Sequence, residues 1–395
     1  MKGRHADRPN PCQLIFKLGC ISQPNVLYYN LYKYEEKPTV RSVRSLKIVV
    51  LAGGLSPERQ VSLVSGQSIC RALRELGHRA VLIDMFLGLE GRENGDVFSS
   101  APDGLLGDEV IRAQAPDLEA VRQRRGDSSP SLFGPGVLEA CVRADAVFLG
   151  LHGECGEDGR VQAAFDLLGV PYTGSGHLAS GMAMNKAVTK LFMERAGVLT
   201  APWRELTYTR EDIPRLTGEL PLPCAVKTIN GGSSLGMALP DTREELAGAL
   251  EEMLRYGGHV IVEPKLKGRD ITVGVLGDTY LPAVEMIPRE GAYFDYEAKY
   301  QSGGSQEVCP APITEDQWRA MGEAALRLHR ALGLRAYSRA DFILDDEGRA
   351  WCLEINTLPG MTPASLLPKE AAAAGLSYNQ LCQRILELSL DKSLT

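Results

Sequence analysis

Short apolar runs alternate with amphipathic stretches from Leu46 onward, and their periods predict the elements of the chain. Leu46–Leu51 is continuously apolar apart from Lys47 and ends at Gly53-Gly54, as a buried strand running into a tight turn does. Ser56 as N-cap and Pro57 at the first helical position open a helix that should run to Gly77. Arg79–Met85 and Asp145–Leu151 read as further strands, with a helix over Asp158–Leu168 between the latter and the next turn. Residues 86–132 are rich in Gly, Asp, Ser and Pro and read as an insertion. Strand and helix alternate in this part, which predicts a parallel α/β unit. Further on, a single helix is expected near Ala179–Ala196, a strand at Pro223–Thr228, and an amphipathic helix from a cap at Asp241 to Tyr256, stopped by Gly257-Gly258. Strands dominate from His259, with long helices at Thr314–Leu332 and Ser377–Leu390. No internal repeat or low-complexity tract occurs.

The pattern divides the chain into an extension (1–45), an N-terminal α/β domain (46–172), a central unit (173–262) and a C-terminal unit (263–395). The 395-residue length suits such a multidomain body. The extension is basic and then tyrosine-rich. Its apolar piece Cys12–Phe16 meets Lys17, too short a run for a signal peptide.

Charge narrows the partners. With 43 basic and 50 acidic side chains the net charge is −7, and no long basic block suggests nucleic acid. No stretch approaches the roughly 18 apolar residues of a membrane helix. Nine scattered cysteines without a C-x-x-C pair argue against a zinc knuckle and fit a reducing cytosol.

The chemistry concentrates in the segment Ser338–Asn356, which reads as two strands around a turn at Asp345–Gly348. With Leu344 opposite Arg349, Asp341 faces Cys352 and Arg339 faces Glu354. Alternation then puts Arg339, Asp341, Cys352, Glu354 and Asn356 on one face, and Ala340, Phe342, Leu344, Trp351, Leu353 and Ile355 on the core face. Two carboxylates, an amide oxygen and an arginine on one wall suit Mg²⁺ and phosphate, since magnesium prefers hard oxygen ligands. Read alone, the same face is an ordinary solvated hairpin. The adjoining glycine loop Asn356–Thr362 adds backbone donors able to meet an anion.

A second glycine loop, Gly231–Gly236, follows the strand that carries Lys227 and lets backbone approach phosphate, although no Walker A Gly-Lys-Ser/Thr is present. The polar stretch around Tyr296–Ser305 holds Lys299 and Tyr300, which could close over a reactive phosphate. His152 in its loop could touch substrate. Glu58 at a helix start is as readily a cap as a ligand. Gly53-Gly54 lacks the full dinucleotide fingerprint, which speaks against an oxidoreductase.

Six of these pieces in this order, namely Ser56-Pro-Glu-Arg-Gln-Val-Ser-Leu63, Leu151–Gly159, Pro171-Tyr-Thr-Gly-Ser-Gly176, Asn230–Met237, Phe294–Tyr300 and Glu354–Thr362, resemble the D-alanine–D-alanine ligases, which are ATP-grasp enzymes. The likeness runs from about Leu46 to Leu390. It implies a three-domain fold, α/β and α+β, with ATP held between two sheets. It also implies a cytoplasmic homodimer of the peptidoglycan pathway that phosphorylates one D-alanine and joins it to a second. By matching motif, Asp341, Glu354 and Asn356 would hold two Mg²⁺ or Mn²⁺ ions. Lys186 and Lys227 would contact ATP phosphates, and Lys299 the γ-phosphate. Glu263 and Leu266 would meet adenine, and Asp270 the ribose. Glu58 would hold the first ammonium with His152 nearby, and Ser233 and Tyr300 would form a hydrogen-bonded set with Glu58. Arg339 and the Gly360 N–H would stabilise an oxyanion, and Ser365 with Leu366 would take the second carboxylate.

The chain departs from the family pattern at three places. Asp270 stands where glutamate is usual, Gln60 replaces a frequent glutamate, and the 86–132 piece is long. Ligation to D-serine or D-lactate, or a non-catalytic nucleotide-binding relative, are the competing expectations. The Tyr-Glu-Ala-Lys-Tyr segment at 296–300 favours D-alanine, and the intact acidic wall favours catalysis.

Overall fold

A computed structural model of the chain describes residues 44–89, 96–99, 116–154, 156–231, 236–288 and 305–391. Nearly all of the extension, much of the predicted insertion, and the candidates Ser233, Lys299 and Tyr300 lie outside the described residues.

The N-terminal part is built as its alternation predicts. β1 (Lys47–Ala52), α1 (Arg59–Glu75), β2 (Arg79–Asp84), α2 (Leu118–Arg124), α3 (Val137–Arg143), β3 (Ala146–Leu149) and α4 (Arg160–Leu168) follow in order. The strands form a parallel sheet ordered β2-β1-β3, and every residue from Ile48 to Ala52 is fully buried. Continuous apolar runs are what a parallel strand covered on both faces requires. Gly66 of α1 lies so close to the sheet that a Cβ there would come within 2.6 Å of Ala52 and 2.8 Å of Leu82.

The next segment departs from expectation. Instead of one helix over Ala179–Ala196 there are two, α5 (His177–Met184) and α6 (Lys186–Arg195). Asn185 between them has extended backbone, and its side chain accepts from the Val188 N–H, so a residue that reads as interior is a cap. β4 (Arg204–Thr207), α7 (Ile213–Glu219), β5 (Cys224–Thr228), β6 (Met237–Ala238), α8 (Arg243–Met253) and β7 (His259–Pro264) complete an antiparallel sheet ordered β4-β7-β5-β6. The cap of α8 is Thr242, not Asp241. Thr242 and Glu245 close a reciprocal capping box, and the Asp241 N–H also bonds Glu245.

The last strands and helices are β8 (Arg269–Leu276), β9 (Thr279–Tyr280), β10 (Val284–Pro288), β11 (Ser305–Val308), α9 (Glu315–Ala331), β12 (Tyr337–Leu344), β13 (Ala350–Asn356), α10 (Leu366–Ala373) and α11 (Tyr378–Leu390). They give a sheet ordered β11-β10-β8-β12-β13, with β9 paired to β8. The passage between the two antiparallel sheets falls between Pro264 and Arg269, just past the expected limit at 262. Packing crosses these sequence limits. Ala179, Ala183 and Met193 of α5 and α6 share a core with β8, α9 and β12, while Leu381, Cys382 and Ile385 of α11 share one with β1 and α1.

Candidate active site

The β12–β13 hairpin builds one wall of the site, in a register different from the simple one. Leu344 lies opposite Ala350, Asp341 opposite Glu354 and Arg339 opposite Asn356, with a bulge after Asp341. The irregularity moves Cys352 across from Phe342 and into the core, fully buried, so it leaves the polar face expected for it. Arg339, Asp341, Glu354 and Asn356 stay together, as expected.

Asp341 is the hub of this wall. Its carboxylate takes Nε and Nη2 of Arg339, both at 2.8 Å, the Thr272 hydroxyl at 2.8 Å and the Asn356 amide at 3.2 Å. Burial opposes the Arg339 charge, but Asp341 outweighs it and holds the guanidinium well above its ordinary range. Lys186, first residue of α6, reaches over this wall with Nζ 3.9 Å from Glu354 Oε2 and bonded to the Gly231 carbonyl at 2.7 Å. Glu157, Lys186, Gly231, Glu354 and Asn356 line one cleft between the elements. Among the described residues no group of three or more His, Cys, Asp or Glu is arranged to hold a metal ion on its own. The wall instead offers two carboxylates and an amide, a set that suits a hard cation sharing its remaining positions with water and phosphate.

Glu263 of β7 is 2% exposed and grips two lysines, Lys190 at 2.5 Å and Lys227. Burial pushes its carboxyl up, but Lys227 and Lys190 together bring it down to about 2, so Glu263 is an anion at neutral pH. Leu266 sits in the turn two residues past the end of β7. Asp270 shares the face of Thr272 and Asp341 by the β8–β12 register, farther along the strand.

On the parallel-sheet side, Glu58 precedes α1 and its side chain makes no cap bond, which removes the simple capping role. It is 8% exposed and lies against Gly153, where a Cβ would stand 2.6 Å from Glu58 Oε2. Gly153 also has φ +73, so glycine is required there twice over. Ser56 fixes the two loops together by donating to the His152 carbonyl at 2.8 Å. The His152 ring spans two partners, Ser65 Oγ at Nε2 (3.1 Å) and the Leu358 carbonyl at Nδ1 (3.0 Å). A carbonyl only accepts, so Nδ1 carries the proton and Nε2 accepts from Ser65. Glu157 lies 3.9 Å from Nδ1, and its carboxyl is pushed up by burial and by Glu58, with the nearby His152 opposing.

His152 therefore ties the first loop to the segment that contains Gly360. That segment folds on itself, with the Thr362 N–H and hydroxyl meeting Ser365 Oγ at 3.1 and 2.7 Å, and Tyr378 bonding the Met361 carbonyl at 2.5 Å. A Cβ on Gly360 would sit 2.8 Å from Ser365 Oγ, so the close approach needs glycine. Ser365 is the N-cap of α10 and Leu366 its first residue, where backbone N–H groups point outward.

The sequence reading missed Lys190, Glu157 and Thr272. Lys190 carried a usable signal, since it stands four residues after Lys186 on a helix and so on the same face. Glu157 lay inside a quoted motif without a role.

Two antiparallel sheets contributing to one cleft, lysines on one side and an acidic wall on the other, define an ATP-grasp protein. The chain matches the family model D-ala D-ala ligase N-terminus over residues 47–175 and D-ala D-ala ligase C-terminus over 192–387. It is 42% identical over 346 residues to the D-alanine--D-alanine ligase of Lacticaseibacillus casei, spanning 86% of this chain and 94% of that one. The solved D-alanine--D-alanine ligase of Bacillus anthracis superposes with a TM-score of 0.64 at 30% identity, over 88% of this chain and 98% of that one. The same ligase complexed with ATP superposes at 0.63 and 28% identity, over 88% and 97%. The chain belongs to the D-alanine–D-alanine ligase family.

Proposed function

We propose that the protein joins two D-alanine molecules into D-alanyl-D-alanine at the expense of ATP, for peptidoglycan precursor synthesis. The pairing of Asp341 with Glu354 beneath Lys186 carries this reading, because it sets an acidic wall and a cation at one end of the cleft. The Glu58–His152–Glu157 group contributes a second, buried polar pocket joined to it through Glu157.

In the reaction the carboxylate of the first D-alanine attacks the γ-phosphorus, and ADP leaves. The amine of the second attacks the acyl phosphate carbon, loses a proton and expels phosphate. Glu58 would hold the first ammonium. Arg339, presented edge-on by Asp341, and the Gly360 N–H would meet the oxyanion, and Ser365 with Leu366 the second carboxylate. Oxyanion donors of this kind are worth about 3–4 kcal/mol each. Lys186 and Lys227 would neutralise phosphate charge, with Lys299 closing on the γ-phosphate. Ser233 and Tyr300 would help place the second amine. Glu263 and Leu266 would bind adenine and Asp270 the ribose.

Asp341, Glu354 and Asn356 would hold two Mg²⁺ or Mn²⁺ ions, which bound would supply charge neutralisation at the phosphates. Among the described residues no helix is long and apolar enough to cross a membrane, and a cytoplasmic homodimer is part of this proposal. The test is phosphate release from ATP with D-alanine alone, or with D-serine or D-lactate as acceptor. Release that depends on D-alanine as both donor and acceptor is expected. Release only with another acceptor, or none at all, would overturn the reading.

A further inference from the structure

Glu263 is held by two lysines that are not equivalent. Lys190 is 3% exposed, forms an ion pair with Glu263 Oε2 at 2.5 Å and donates a hydrogen bond to the Thr200 hydroxyl at 2.6 Å. Thr200 in turn donates to the Cys352 carbonyl at 2.9 Å, which anchors the lysine to the strand that carries Glu354. Lys227 is more open, 13% exposed, and bonds the other oxygen of Glu263. The trio therefore holds one positive charge in excess beside the cleft. Buried excess charge is costly unless an anion arrives to match it. The less buried, less anchored lysine is the one able to turn toward such an anion.

We propose that Lys190 is a positioning residue that stays with Glu263 and keeps it an ionised hydrogen-bond acceptor when Lys227 swings to the nucleotide phosphates, and that it thereby sets the preference for adenine over guanine. This rests on the reading that Glu263 meets the base and Lys227 the phosphates. The chemistry follows from the bases. Adenine presents an exocyclic amino donor, which a carboxylate accepts, whereas guanine presents a carbonyl oxygen there, which a carboxylate repels. Without Lys190, a nucleotide that draws Lys227 away would leave Glu263 buried and unpaired. The carboxyl would then take up a proton and become able to donate to the guanine carbonyl.

The experiment compares kcat and KM for ATP and GTP in the parent enzyme, Lys190→Met, Lys190→Arg and Glu263→Gln, with melting temperatures beside them. Lys190→Met should raise the KM for ATP at least tenfold. It should also lower the ATP:GTP ratio of kcat/KM by a similar factor, with most of the change in KM. Lys190→Arg should restore much of the ratio. A lowered melting temperature with an unchanged ratio would make Lys190 a structural strut and overturn the proposal. If Lys190→Met does not fold, Lys190→Gln, which keeps a hydrogen-bond donor beside Glu263 and removes only the charge, decides. A parental ratio in that folded variant overturns the proposal, and a collapsed one supports it. Glu263→Gln separates the two layers. If its ratio is parental, the base is not at Glu263 and the underlying reading fails. If it changes while Lys190→Met does not, only the role of Lys190 fails.

Discussion

Arg339 and Asp341 stand two residues apart on one strand and hold each other side-on, Nε to Oδ1 and Nη2 to Oδ2, each at 2.8 Å. The arrangement links the wall proposed for metal to the donor proposed for the oxyanion, because one carboxylate orients both. Arg339→Lys keeps the charge but cannot form the two parallel bonds. The expected result is a fall in kcat of about 10²–10³, the cost typical of a lost oxyanion donor, with the KM for ATP little changed. Steady-state kinetics at varied ATP measures both constants. A near-parental kcat in the lysine variant would show that the fork has no part in the chemistry.

Glu354 faces Asp341 across the hairpin and has Lys186 Nζ 3.9 Å away. Glu354→Gln keeps shape and removes one negative charge from a half-buried wall, so the melting temperature should hardly move. Turnover should fall steeply, and the Mg²⁺ concentration for half-maximal rate should rise, since magnesium takes carboxylate in preference to amide oxygen. Titrating the rate with Mg²⁺ at fixed ATP checks it. Ordinary activity at physiological magnesium would end the metal assignment.

What could be read in the chain, and what could not, follows from the range of the forces involved. Apolar period placed β1, β2, α1, α9 and α11 within a few residues, because burial of a face is written locally. The grouping of Arg339, Asp341, Glu354 and Asn356 was legible for the same reason. The position of Cys352 was not, because the bulge after Asp341 is decided by packing against neighbouring elements. Asn185 was missed as a cap because the apolar pattern continues through it on both sides. The Lys190–Glu263 pair joins a helix to a distant strand, and no local period announces such a contact. Motif order identified the family where single motifs would not have.

Glu263 also predicts acid behaviour. Its folded pKa of about 2 lies below the ordinary 4.5, so the folded state favours the charged form. The stabilisation is fully present above pH 4.5 and is lost as pH falls toward 2. Lys190→Met/Glu263→Gln removes this carboxylate and one cation together. The variant should therefore show a flatter dependence of melting temperature on pH between 4.5 and 2 than the parent. Thermal unfolding across that interval tests the point, and parallel curves would contradict it.

Glu370 of α10 makes the opposite case. It is fully buried, and among the described residues neither carboxyl oxygen reaches a hydrogen-bond partner of sound geometry. The carboxyl is pressed onto Gly274, where a Cβ would come within 2.2 Å of Oε2. Burial raises its pKa well above the ordinary 4.5, and Arg339 and the Gly274 backbone pull it down only in part while Asp341 pushes it up. A raised carboxyl means that the folded state prefers the proton. Its contribution therefore turns unfavourable as pH rises above 4.5, and grows until the folded group ionises. Arg339 already has Asp341 as its bidentate partner, so the wall does not depend on Glu370 for a counterion. Glu370→Met keeps roughly the volume and removes a polar group left unmatched in the core. The variant should be more stable than the parent by about 1–3 kcal/mol at neutral pH, the usual cost of an unsatisfied buried group. The gain should shrink at pH 5. Chemical denaturation of both proteins at pH 5 and pH 8 measures it. A variant no more stable than the parent at pH 8 would mean that Glu370 is matched by a partner after all, with Arg339 the first to examine.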